Sequence, residues 1–340
     1  MNLNAANADP MATHAIRKLE IVMSKRSKMI FSGWYLAAGF TVALLTIASP
    51  AIAQGATSTD DSKIELTDGV HVCTQSHVNI MAVVGSEGVL VTDSGYARDS
   101  ERLVKSIDEL QGGPVKFVLN THFHFDHVGG NGAFAEKGAV IVAHQNGRLR
   151  MQEEWGFPET LGLGMPHIPP YPEVMLPTLT FSETLTLHFG RHEIETIHLP
   201  NAHSDADLVM LLPDANILYT GDLYLSNGFP LVDSFHGGTI DGLITAVGKL
   251  IDLINDDTQI VPGHGPMSNR QELREYQQML ITGRSRIAEL VAKGMTMEEV
   301  LSADPTAGVY TGGESWLSAD KFTLIVYADL ARTLKPAAIT

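Results

Sequence analysis

The sequence predicts an α/β fold with a helical extension at its C-terminal end. Short β-branched stretches alternate with segments of helical spacing up to about residue 260. A layout of strands, a helix and a polar loop rich in His and Asp occurs twice in that span. Beyond residues 259–261 the periodicity turns helical and stays so. With 340 residues, 44% of them hydrophobic and 18% charged, the chain can bury a substantial core in one or two domains.

The first element is an export signal rather than fold. Lys25, Arg26 and Lys28 precede an apolar run from about residue 29 to 47, and Ala51-Ile52-Ala53 supplies a small-x-small cleavage site. Residues 1–53 are therefore expected to be removed, leaving Gln54 first. The stretch before Met23 does not fit this pattern, which makes Met23 a candidate start. The expected location is periplasmic or secreted, without stable membrane insertion after cleavage; the competing reading is an uncleaved anchor. Residues 54–68 read as a linker, 69–269 as the catalytic domain and 270–340 as a helical region packed on it.

Within the domain, 70–74, 79–84 and 88–92 read as consecutive strands, separated by turn residues such as Gly85-Ser86-Glu87. Leu103, Val104, Ile107 and Leu110 give 100–111 helical spacing, ended by Gly112-Gly113. A strand at 115–120, a short helix at 131–137 and a strand at 139–143 follow. Residues 156–177 hold six prolines beside Phe157, Met165, Ile168 and Tyr171, the composition of a long loop that covers a site or crosses a surface. Segments 184–188 and 193–198 form one hairpin, 207–212 and 217–220 another. A helix at 240–254, a strand at 259–261 and helices at 270–293, 297–301 and 315–334 complete the order.

Charge narrows the function. Twenty-three basic residues against 39 acidic ones give a net charge of -16, and no basic patch stands out, so a nucleic-acid partner is not expected. A small-molecule substrate is the expected partner; the oligomeric state is open. The single cysteine, Cys73, excludes an internal disulfide and a zinc site of several cysteines.

The chemistry sits directly after the strand at 115–120. There, His122, His124, Asp126 and His127 fall within six positions and run into Gly129-Gly130. On extended backbone His122 and His124 point to the same side. Imidazole and carboxylate together suit zinc or a similar divalent ion. Further candidates stand at other strand ends: His203 in Asn201-Ala202-His203, Asp222 in Gly221-Asp222, and His264 in Gly263-His264-Gly265. Ligands on loops at the rim of a rigid sheet are what an open catalytic metal site needs.

This set, HxHxDH followed by a lone His, a GD and a GHG, resembles the metallo-β-lactamase superfamily, over roughly residues 69–266. It looks closest to members with a three-His site and an Asp-His-His site, such as glyoxalase II-like hydrolases and one subclass of zinc β-lactamases. The resemblance implies a four-layer αβ/βα sandwich with metals at one edge. It implies two divalent ions, zinc by default with iron or manganese also accommodated. His122, His124 and His203 would hold the first ion, and Asp126, His127 and His264 the second, with Asp222 bridging. A hydroxide between the ions would attack a carbonyl, with Asp126 as the catalytic residue that orients it. The expected activity is β-lactamase-like opening of a cyclic amide. The alternatives are a glyoxalase II-like thioesterase or a lactonase and, in another class, a non-catalytic metal-binding protein. The Cys ligand and following Lys of one β-lactamase subclass are absent around Asp222. Substrate contacts are sought in His167, Tyr224, Asn227 and Phe229.

Overall fold

A computed structural model of the chain describes residues 61–312 and 315–333. The export-signal expectation, at 1–53, lies outside these residues. The described parts of 61–157 and 163–333 fall in one compact unit; 158–162 is a separate short segment with one 3-10 turn, Glu159–Leu161.

Strand pairing produces two mixed sheets. β1 (Ser62–Thr67), β2 (Val70–Gln75), β3 (Val78–Gly85) and β4 (Gly88–Thr92) form an antiparallel meander, because tight turns join them. β5 (Val115–Leu119), β6 (Val140–His144) and β7 (Leu179–Phe181) extend it in parallel. Parallel neighbours need crossovers. Helices α1 (Ser100–Asp108), α2 (Phe125–Val128), α3 (Asn131–Ala135) and α4 (Gln145–Met151) lie in those connections. In the second sheet β8 (Thr184–Phe189), β9 (His192–His198), β10 (Leu208–Leu212) and β11 (Ile217–Tyr219) are antiparallel. After helix α5 (Ile240–Leu253), β12 (Gln259–Val261) pairs in parallel with β11.

Alternation along the strands divides the core in two. Val72, Met81, Val83 and Leu90 of the first sheet meet Leu208, Met210, Leu212, Tyr219 and Val261 of the second. The opposite face of the first sheet buries Ile80, Ala82 and Val91 against Leu103, Val104 and Ile107 of α1 and Phe134 of α3. Each such buried Val, Leu, Ile, Met or Phe side chain contributes about 1.5–3 kcal/mol. The outward Val209, Leu218 and Ile260 of the second sheet are fully buried too. α5 packs on α6 (Arg270–Ala292), and α6 packs on α8 (Ala319–Thr333), with the short α7 (Met297–Ser302) between them in sequence. Helix, sheet, sheet and helix are the four layers expected, with the helical region at the C-terminal end.

Three elements differ from expectation. The segment read as a linker, 54–68, contains β1, an exposed edge strand. No element was expected at α4 or β7. β7 is only three residues long, and α4 starts with Gln145-Asn146-Gly147, which lacks helical periodicity. α4 forms because His144 caps it, its Nδ1 accepting from the Asn146 amide at 3.2 Å.

β4 and β5 run in the same direction, and so do β9, β11 and β12. The C-terminal ends of these strands therefore carry their loops to one edge of the sandwich.

Candidate metal centre

At that edge the chain turns sharply after each strand. β5 leads through Asn120-Thr121 into His122, Phe123 and His124. His124 keeps extended backbone before α2, so its ring and that of His122 fall on one side while Phe123 is buried on the other. β9 leads to His203, β11 to Asp222 and β12 to His264. Two glycines make room. Gly221 has φ +50°, and a Cβ there would lie 2.7 Å from the Thr121 side chain. A Cβ on Gly263 would run into Asp222 Oδ1.

The result is three overlapping groups. His122, His124 and His203 form one; Asp126, His127 and His264 another; His122, His127 and Asp222 link them. In each, one nitrogen or oxygen per residue lies within 4.8 Å of the others. In the first trio His124 Nδ1 is 3.1 Å from His122 Nε2 and 3.0 Å from His203 Nε2. In the second, His264 Nε2 is 3.4 Å from both His127 Nε2 and Asp126 Oδ2. Asp222 spans the two. Its Oδ1 is 3.1 Å from His127 Nε2 and 3.4 Å from His264 Nε2, and its Oδ2 is 4.0 Å from His203 Nε2.

The far nitrogen of every imidazole is occupied. His124 Nε2 donates to Asp233 Oδ2 at 2.9 Å, and His127 Nδ1 to Asp93 Oδ2 at 2.8 Å. His203 Nδ1 donates to the Leu231 carbonyl at 2.7 Å, and His264 Nδ1 to the His77 carbonyl at 2.9 Å. The Thr121 hydroxyl donates to Asp93, so it accepts from His122 Nδ1 at 3.0 Å. This network assigns the outer nitrogen of each neutral ring its proton and leaves the inner one a bare acceptor. Bare acceptors 3.0–3.4 Å apart repel unless a cation lies between them. Asp222 Oδ1 is buried without a hydrogen-bond partner, which is a second sign of an unmet demand for positive charge.

Electrostatics point the same way. Burial and the neighbouring His127, His124 and His203 hold His122 well below the ordinary histidine value. Burial works against charge on His264 and His127 as well. There, however, Asp222 and Asp126 prevail, raising His264 to about 10 and His127 well above its usual value. Burial also opposes the Asp222 and Asp126 anions, yet His264 and His127 keep both below the usual carboxylate range. With protons as the available cations, the carboxylates draw them onto two imidazoles; a divalent ion answers the same demand. The donor set, nitrogen and carboxylate oxygen, fits such an ion.

The sequence model of the family described as metallo-beta-lactamase superfamily matches residues 73–264, the span that carries every residue of this cluster. The chain belongs to the metallo-beta-lactamase superfamily.

Proteins similar to it differ in their named activities. A linear primary-alkylsulfatase of Pseudomonas sp. is 24% identical over 63% of this chain and 47% of its own length. A metallo-beta-lactamase type 2 of Bacillus sp. is 25% identical over 54% of this chain and 65% of its own. The chain thus spans about half to two thirds of these relatives. Among solved structures, a metallo-beta-lactamase from Pontibacter korlensis superposes with TM-score 0.52 at 20% identity, covering 65% of this chain and 99% of that one. That likeness concerns the fold.

Against this superfamily frame the suggested substrate contacts scatter. Asn227 is exposed beside the Gly265 backbone, one residue from His264. His167 is exposed and pairs with Glu154 at 2.9 Å. The Tyr224 hydroxyl is taken by Ser268 Oγ at 2.7 Å, with its ring against Tyr276. Phe229 stacks on Phe322 of α8. Tyr224 and Phe229 are thus packed toward the helical region. The wall of the first trio comes instead from Trp155, with ring centre 5.2 Å from His124, and from Phe157 at 6.0 Å. Asp93 and Asp233 were not singled out in the sequence. Asp93 ends β4 just as the other site residues end their strands, and that position was the available signal.

Proposed function

We propose that the chain is a dinuclear metallohydrolase that opens a cyclic amide of the β-lactam kind, with His122, His124 and His203 holding one ion, Asp126, His127 and His264 the other, and Asp222 between them. The observation that carries this reading is the pair of trios joined by Asp222, with bare acceptor atoms converging on two adjacent points. Relatives named as metallo-beta-lactamases support the lactam assignment. Zinc suits the donors; iron or manganese is compatible with a carboxylate shared between the two points. When bound, such ions supply Lewis-acid polarisation of a carbonyl and bring the pKa of water from 15.7 toward about 7.

The chain's own residues do the rest. Asp126, with a side chain 14% exposed, faces the opening and is placed to orient a water and hold its proton. Asp233 and Asp93 keep His124 and His127 in the tautomers that present a lone pair inward. Trp155 and Phe157 exclude water from one side of the first trio. No serine or cysteine nucleophile is required. The thioesterase or lactonase reading is favoured by one feature, the shared carboxylate of Asp222, which the resemblance associates with glyoxalase II-like members. We place the protein in the periplasm or outside the cell on the pattern of residues 24–53; sequencing the mature N-terminus tests this, with Gln54 expected first.

The activity test is a panel of a chromogenic cephalosporin, a carbapenem, an acyl-homoserine lactone and a glutathione thioester. Turnover of a cyclic substrate that is lost on chelation and regained with zinc is expected. Hydrolysis of the thioester alone, or full activity in protein verified to be metal-free, would overturn the proposal.

A further inference from the structure

The helical region frames a cavity that the metal centre does not account for. It measures about 360 Å³ and lies between residues 224–228, one face of α6 and residues 309–312. That volume falls within the usual range of small-molecule sites, roughly 300–1,000 Å³. From α6 it takes Glu272, Glu275, Tyr276 and Met279, the i, i+3, i+4, i+7 spacing of a single helix face. Tyr224 and Tyr310 come from the other two walls.

The walls are braced. Tyr224 and Tyr276 pack edge to face with ring centres 4.9 Å apart. Tyr310 lies 5.6 Å from Phe229, which stacks on Phe322 of α8 at 4.7 Å. Ser315 Oγ accepts from the Phe229 amide at 2.9 Å and ties the two loops together. Three aromatic rings are thus held around one space.

The charges of this space are of one sign. Glu272 and Glu275 are exposed, one helical turn apart, where like charges repel. Their hydrogen-bond partners are neutral. Ser268 Oγ donates to Glu272 at 2.5 Å and Gln271 Nε2 to Glu275 at 2.9 Å. Because the Ser268 proton goes to Glu272, the Tyr224 hydroxyl donates to Ser268 at 2.7 Å. No Lys or Arg lines the cavity. The basic residues of the same stretch of α6, Arg270 and Arg274, both turn to Asp256, at 3.0 and 3.6 Å. Tyr276 is 6% exposed, and its hydroxyl has no hydrogen-bond partner among the described residues. An orphaned hydroxyl at this wall is a second, independent sign of an unmet polar demand.

The two features select a ligand class together. Carboxylates call for a cation, but a metal ion would keep its water and gain little from tyrosine rings or from Met279. A methylated ammonium group is attracted by the face of an aromatic ring, and its methyl groups suit apolar walls. We propose that this cavity binds a small organic cation of the quaternary ammonium kind, seated among Tyr224, Tyr276 and Tyr310 and neutralised by Glu272 and Glu275.

The test is calorimetric titration of the full chain with choline and with its uncharged isostere 3,3-dimethylbutan-1-ol, which replaces the ammonium nitrogen by carbon. It reads binding alone, so its outcome does not depend on the hydrolase assignment. Choline is expected to bind at least about tenfold tighter than the isostere. Tyr310→Ala and Glu275→Gln should each weaken choline by roughly fivefold or more, whereas Tyr310→Phe, which keeps the ring, should retain most of the affinity. Thermal unfolding of each variant is followed in parallel, and Glu275→Gln, at an exposed helix position, is expected to unfold as the parent does. No binding of choline, equal binding of the isostere, or choline affinity unchanged in both Tyr310→Ala and Glu275→Gln overturns the proposal. Displacement of choline by an equal concentration of magnesium also overturns it, because the site would then be an ordinary acidic cluster.

Discussion

Asp233 accepts from His124 Nε2 at 2.9 Å and from His236 Nδ1 at 2.7 Å, and it is fully buried. Its carboxyl is held below the usual range by these two imidazoles despite its burial. Replacing it with Asn keeps the shape but removes the charge that steadies His124. On the proposed assignment, zinc affinity at the first trio should fall roughly 10–100-fold, read by competition with a chromogenic chelator; unchanged affinity would show that His124 needs no such support. Asp126→Ala should lower kcat by roughly 100-fold or more, measured beside His167→Ala, for which little change is expected. His122 to His127 were legible because they stand together. Asp93 and Asp233 were not, because each acts through a partner far off in sequence, 34 residues away for Asp93 and 109 for Asp233. Asp93 also adopts φ +59°, which costs roughly 1–2 kcal/mol. Four hydrogen bonds hold it there, from His127 Nδ1, the Thr121 amide, the Thr121 hydroxyl and the Tyr219 hydroxyl.

The strand-end loops at the rim succeed as elements because backbone approaches backbone. Gly263 N donates to the Gly221 carbonyl at 2.9 Å, joining the loops after β12 and β11. Gly263→Ala would force Asp222 aside. It should destabilise the fold by about 1–3 kcal/mol, followed by urea titration, and weaken metal binding at both trios together. Full retention of both would mean the rim is looser than its contacts indicate. Buried strands and long helices were readable from pattern, since burial on both faces leaves apolar runs and amphipathic helices repeat every three to four residues. β1 and β7 were hidden for the opposite reason. Both are edge strands with largely exposed side chains, so neither composition nor alternation marks them, and partner strands decide their conformation. The loop at 156–177 was legible as a loop, but its packing side was not, because the composition suits a cover over a site and a surface crossing alike.

At the scale of the molecule, the two sheets and their helices are one scaffold whose rim concentrates repelling acceptors and carboxylates. Ions that bind there only in the folded chain stabilise it by mass action, about 4 kcal/mol at a thousandfold excess over Kd. Chelation should therefore lower Tm by roughly 10 °C. Acidification should reduce that gain, since ligand imidazoles must be neutral to bind; calorimetric scans with and without chelator at two pH values measure both. The net charge of -16 and the acidic rim agree in sign. The sequence alone conveyed the charge, though not its concentration at the rim.

The most direct measurement is anomalous diffraction at the zinc edge from crystals of zinc-reconstituted protein. Two peaks are expected, one among His122, His124 and His203, the other among Asp126, His127 and His264, with Asp222 reaching both. Absence of any peak at these residues, or zinc bound elsewhere on the chain, would contradict the dinuclear assignment.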